Sequence, residues 1–153
     1  MAFKTLPVIL LITALFLVGC TSQAQTSSTT GDMTAKTTSI VEKVEIIHFH
    51  GTHQCYSCIT VGAYAEETVN TYFAEDVKNG KVSFSHINGD LPENKELVMK
   101  YGVTGSSLWI GVYDKEGFHR EENVNVWYKI KDKDDYTSYL KGLIERRLAG
   151  DLS

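Results

Sequence analysis

The sequence predicts a three-layer α/β domain, a central mixed sheet of about four strands flanked by three to four helices. Three observations carry that reading. Apolar runs over residues 41–50 and 81–88 bracket a long helical period, which is the pattern of a parallel strand-helix-strand crossover. A third apolar run over residues 107–114 passes through a polar turn into an antiparallel return from Phe118 onward. The chain then closes on an amphipathic helical period around Tyr136 to Ile144.

The first elements are expected to direct the chain rather than to fold. Residues 1–19 have the build of an export signal: Lys4 supplies the positive end, and Leu6 to Val18 is broken only by Pro7 and Thr13. That run is shorter than the ~18–20 residues of a membrane span. It ends in Leu17-Val18-Gly19-Cys20, which resembles the bacterial lipobox. The resemblance implies that Cys20 is acylated and becomes the first mature residue, so that lipid holds the protein on a membrane without spanning it. A plain secretory signal is the alternative. Thr21 to Thr38, rich in Ser, Thr, Gln, Ala and Gly, buries too little to offset chain entropy, so residues 20–39 read as the lipidated cysteine and a flexible tether.

The folded domain is placed at residues 40–150. Val41 to His50 holds Val44, Ile46 and Ile47 with few breakers, the look of a strand buried in a sheet. Val61, Ala65, Val69, Tyr72, Phe73 and Val77 recur at three- and four-residue spacing, predicting one long helix that Asn79-Gly80 ends. Val82, Phe84 and Ile87 mark the second strand. Asp90 and Glu93 read as a capping box for a second helix, with Pro92 in its first turn and an end near Tyr101-Gly102. Leu108, Trp109, Ile110 and Val112 form the body of the third strand, and Asp114 to Gly117 a turn. Val126-Trp127-Tyr128 reads as strand or loop. Tyr136, Leu140, Leu143 and Ile144 share one helical face, with Arg146 and Arg147 in the last turn.

Composition narrows the function. The 153 residues suit one domain, and 42% apolar with 10% aromatic content is enough for a core. Net charge is −4, or −5 once residues 1–19 and their Lys4 are removed, which argues against nucleic acid as a partner. A monomer is expected.

The chemistry centres on Cys55-Tyr56-Ser57-Cys58, just after a strand and at the start of a helix. Unpaired N–H groups and the positive end of the helix dipole lower the first thiol's pKa there, making Cys55 the expected nucleophile. Cys58, one turn on, is placed to resolve a mixed disulfide.

Residues 41–148 resemble the thioredoxin superfamily. Within it, Phe49-His50-Gly51-Thr52-His53-Gln54-Cys55-Tyr56-Ser57-Cys58 looks most like the small thioredoxin-like proteins of the nitrophenyl compound nitroreductase subunit ArsF family. The resemblance implies an extracytoplasmic, membrane-anchored thiol-disulfide oxidoreductase or electron-transfer subunit. Its partners would be a membrane thiol-electron donor and a protein disulfide substrate, and its redox-active disulfide would be its only cofactor. Nothing resembles a flavin or nicotinamide site, so nitro reduction would fall to another subunit.

Two departures from the thioredoxin pattern stand out. Ser107 falls where the family carries a cis-proline, and the chain's only prolines are Pro7 and Pro92. In the family that proline shapes substrate pairing and keeps other ligands off the sulfurs. His48 stands where thioredoxins place a buried carboxylate; it is expected to be satisfied by neighbouring hydrogen bonds, with a proton relay near its ordinary pKa of ~6.5 as the sharper alternative.

A short-loop structural disulfide is one rival reading of the cysteines. The stronger rival is a metal-binding or metallochaperone module, since His48, His50, His53, Cys55 and Cys58 fall close together and thiolate with imidazole suits zinc or cuprous copper. Against it, a closed zinc site wants four ligands and no second cysteine pair exists. Trp109 and Trp127 read as core and rim aromatics, and Glu66-Glu67 and Glu121-Glu122 as solvated faces. His86 and His119 show no partner in sequence, and Ile59 after Cys58 excludes a c-type haem attachment.

Overall fold

In the computed structural model, which describes residues 40–153, four strands form one sheet in the order β2-β1-β3-β4. These are β1 (Val41–His50), β2 (Val82–Asn88), β3 (Ser107–Asp114) and β4 (Gly117–Glu122). The expected signal segment, Cys20 and the tether lie outside the described residues. β1 runs parallel to β2, with Val44 opposite Val82, and antiparallel to β3, with Ile46 opposite Ile110. The central strand is therefore buried on both faces from Ile46 to Phe49, where adjacent residues, and not only alternate ones, are covered.

Alternation along β1 divides the core in two. Val44 and Ile46 join Val61, Ala65 and Val69 of α1 (Tyr56–Tyr72) and Leu140 and Ile144 of α5 (Lys133–Leu148). Ile47 and Phe49 face the other way, onto Tyr101 and Trp109 with Leu97 and Val98 beside them. Those partners come largely from α3 (Lys95–Tyr101), so helices cover both faces in the expected three layers. This strand order with one parallel and two antiparallel pairings is a thioredoxin-like arrangement. No helix among the described residues is long and apolar enough to cross a membrane.

Three local expectations are corrected. The long helix is two: α1 ends at Tyr72, Phe73 leaves helical geometry (φ −124°, ψ 22°), and α2 (Ala74–Lys78) follows. Phe73 is buried while Tyr72 and Val77 are exposed, so the turn drives one aromatic ring into the core at the expense of two periodic positions. Asp90 caps no helix. Leu91 precedes a 3₁₀ turn (Pro92–Asn94) that leads into α3, and the Asp90 carboxylate is drawn away by the amide of Thr52 at 2.7 Å. Val126 to Lys129 is the short helix α4, neither strand nor loop, and it seats Val126 in the core.

The turns after α2, α3 and β3 stand where the sequence places them. Gly80 and Gly102 take positive φ (74° and 75°) where the chain must turn after helices. Asp114 Oδ1 accepts from the amides of Glu116 and Gly117 and closes the β3-β4 turn. Asp132 caps α5 by accepting from Asp134 and Asp135. Glu121 is no merely solvated charge: the buried Arg147 guanidinium grips it through Nε and Nη2, at 2.9 and 2.7 Å.

Candidate functional site: a dithiol at a helix start and a histidine cluster beneath it

Cys55 is the N-cap of α1, with extended backbone (φ −78°, ψ 165°). Its Sγ accepts from the Cys58 amide at 3.3 Å. The thiol side chain of Cys58 and its backbone N–H together hold the Cys55 thiol below its ordinary pKa, with the Ser57 amide adding to them. Both cysteines are free thiols, Cys55 exposed and Cys58 half-buried. Tyr56 and Ile59 beside them are also exposed, so the dithiol sits on a partly apolar surface.

The loop into the dithiol is anchored from β2. Asp90 accepts from the Thr52 amide, and Asn88 Nδ2 donates to Thr52 Oγ1 at 3.2 Å. The Thr52 amide, and more weakly its hydroxyl, hold the Asp90 carboxyl below the usual carboxylate range, with help from His53 and His50. His50, His53, Asp90, Thr104, Gly105 and Ser106 line a cleft of about 330 Å³ beside this loop.

Ser107 is the first residue of β3, opposite Phe49, at the end of the sheet from which the dithiol loop leaves. It is buried. Its hydroxyl donates to the Gly105 carbonyl at 3.0 Å and accepts from the Trp109 indole N–H at 2.9 Å. Ser107 therefore works inward, holding a core tryptophan.

The three histidines before the dithiol sit in different surroundings. His53 stays exposed in the loop, and His50 Nδ1 donates to the Gly51 carbonyl at 2.9 Å. His48 is buried against α1, and burial, with His86 and His50 nearby, pushes its imidazole down to about 4. It is neutral at ordinary pH, far from the relay expectation. Its Nδ1 lies 3.0 Å from His86 Nδ1, while its buried Nε2 has no partner among the described residues, so neighbouring hydrogen bonds there satisfy only one side of the ring. His86 Nε2 in turn meets Glu66 Oε2 of α1 at 3.3 Å.

His86 and Glu66 are the residues that sequence reasoning missed. A signal existed: His48 follows Val44 by four positions and His86 follows Val82 by four, so the Val44-Val82 register that β1 and β2 adopt pairs the two histidines. Gly62 completes the arrangement. A Cβ there would stand 2.7 Å from His48 Cε1 and 2.8 Å from His86 Cε1, so only glycine lets α1 approach both rings. Cys58 lies one helical turn before Gly62, which puts the cluster under the dithiol end of α1. Among the described residues, no three His, Cys, Asp or Glu side chains already converge as a metal site.

No protein-family model matches the sequence, and comparison with curated proteins finds no match. Among solved structures, the chain is similar to a thioredoxin from Thermus thermophilus, with 14% identity and a TM-score of 0.45 over 69% of this chain and 76% of that one. It is also similar to a malarial protein, with 14% identity and a TM-score of 0.38 over 63% of this chain and 96% of that one. On strand order and helix placement the fold is a thioredoxin-like α/β domain. Its Cys-x-x-Cys pair at the first helix suggests thiol redox work.

Proposed function

We propose that the protein is an extracytoplasmic, lipid-anchored thiol-disulfide oxidoreductase or electron-transfer subunit. The observation that supports it best is Cys55 at the helix N-cap, exposed, with its sulfur accepting the Cys58 amide. The Cys55 thiolate attacks one sulfur of a partner's disulfide, breaking the S–S bond, forming a mixed disulfide and expelling the partner's other sulfur as a thiolate. Cys58 gives up its proton and attacks Cys55 Sγ, releasing the second partner thiolate and leaving a Cys55-Cys58 disulfide. Two electrons have passed to the partner. A membrane thiol-electron donor then reduces the domain by the reverse exchange.

The finer placement, with the ArsF-type nitroreductase subunits, rests on the run from Phe49 to Cys58 alone. In that setting the chain passes electrons and another subunit holds the nitro compound. Attachment through Cys20 rests on the lipobox resemblance and is read by membrane fractionation of a Cys20→Ala variant, which should leave the membrane.

Trapping tests the central claim. Cys58→Ser in the full-length chain should accumulate mixed disulfides on Cys55 that disappear on reduction and in Cys55→Ser. The rival is a zinc or copper module that uses the two thiolates with His50 or His53. Its signature is no trapped partner and about one tightly held metal per chain that both cysteines are needed to bind; that result would overturn the redox reading.

A further inference from the structure

We propose that His48, His86 and His50 form a binding site for a divalent transition-metal ion, held by imidazole nitrogens and separate from the two sulfurs. The inference goes beyond thiol exchange, and it places any metal capacity of the chain on residues other than the thiolates.

The three nitrogens do not yet converge on one point, but two of the three ring separations are close to those that one ion would impose. An ion held at ~2.0–2.1 Å by three imidazole nitrogens with tetrahedral angles sets ring centroids roughly 5 Å apart. Here the centroids are 5.2 Å (His48–His86), 5.5 Å (His48–His50) and 6.3 Å (His50–His86) apart. The Nδ1 atoms of His48 and His86 face each other at 3.0 Å. At those bond lengths they subtend roughly 95° at a shared ion, and a parting of about 0.3 Å opens the angle to tetrahedral.

The outer hydrogen bonds leave the right lone pairs bare. A carboxylate and a carbonyl only accept, so His86 carries its proton on Nε2, toward Glu66, and His50 carries its proton on Nδ1, toward the Gly51 carbonyl. His86 Nδ1 and His50 Nε2 are then unprotonated. A ligating histidine that donates its other N–H to a carboxylate or backbone carbonyl has this same pattern. His48 enters the site as its other neutral tautomer, with its proton on Nε2 in place of Nδ1. His50 must turn to bring its nitrogen to the other two, which is the largest movement the site needs.

The cluster is reachable as well as crowded. His48, His50, Glu66, His86, Ile59 and Ala63 line a cavity of about 360 Å³, and Gly62 removes the side chain that would fill the space beside His48 and His86. An all-imidazole set suits zinc, copper(II), nickel or cobalt(II) in preference to calcium or magnesium.

The full-length chain, purified in detergent and stripped with a chelator, is titrated with Zn(II) in competition with a chromogenic chelator, and with Co(II) for its visible spectrum. The expected result is about one ion per chain, bound with unchanged affinity by Cys55→Ser/Cys58→Ser and with a Co(II) spectrum free of sulfur charge transfer. Glu66→Gln, at an exposed position, should weaken binding about 10–100-fold. His86→Asn should weaken it about 100-fold or more. His50→Asn provides a further ligand test if His86→Asn fails to fold. Loss of the ion in the double-serine variant, or retention of wild-type affinity in both histidine variants, overturns the proposal. So does the absence of stoichiometric binding to the wild-type chain. Disulfide exchange by the metal-free His86→Asn protein reports on the redox reading by itself.

Discussion

Replacing Gly62 by alanine tests the packing that joins the dithiol helix to the histidine cluster. The added methyl would collide first with His48 Nδ1 and would sit 2.7 Å from His48 Cε1 and 2.8 Å from His86 Cε1, against about 3.4 Å for ordinary contact, so His86 must yield by about 0.6 Å and His48 by more. His86 can retreat toward solvent; His48, 1% exposed, cannot. Overpacking of this kind costs about 1–3 kcal/mol, while alanine's helix propensity returns about 0.5–1 kcal/mol. With one ring pinned, the net expectation is a loss of about 1–2 kcal/mol. Gly142 in α5 is the control, since its Cβ would meet nothing closer than Arg146 Nη1 at 3.8 Å. Gly142→Ala should therefore stabilise by about 0.5–1 kcal/mol, the same chemical change with the opposite sign. Urea unfolding followed by circular dichroism and tryptophan fluorescence measures both. A Gly62→Ala protein as stable as wild type would refute the close approach of α1 to the two imidazoles.

Three further outcomes follow from the site. Ser107→Ala strips the Trp109 indole N–H of its acceptor inside the core and should cost about 1–2 kcal/mol by urea unfolding; a neutral change would mean that the hydroxyl holds nothing. Cys58→Ala removes the first cause of the depressed Cys55 pKa, so the midpoint of Cys55 alkylation against pH should move up, and an unchanged midpoint would assign the effect to the helix instead. Asp90 ionises below the usual carboxylate range, so its bond to the Thr52 amide is present above that range and is lost only as pH falls through the lowered value. Hydrogen exchange at Thr52 should thus stay protected on mild acidification and lose protection in Asp90→Ala at every pH.

Much of the fold was legible because strands and helices declare themselves through periods of 2 and 3.6 residues, as in Val41–His50 and the Tyr136-to-Ile144 face. The dithiol was legible for a similar reason: a helix start after a strand is a local event, and Cys55 fills the N-cap. Legibility failed where a residue's role depends on something distant in the chain. Tyr72 and Val77 keep the helical period yet lie outside the core, because Phe73 turns the chain inward between them. Asp90 has the spacing of a capping box, but Thr52, 38 positions earlier, offers its carboxylate a better-placed donor.

The sequence by itself determined an α/β domain with a Cys-x-x-Cys pair at the start of its first helix, since both depend on neighbours within a turn or a strand. Only the tertiary structure decided that Ser107 turns inward to Trp109, and that His48 meets His86, with Glu66 behind it and Gly62 making room. Local propensity sets what each segment becomes. Which segments then touch is set by strand register and by the packing of helices on the sheet, and those are fixed when the whole chain buries its two cores together.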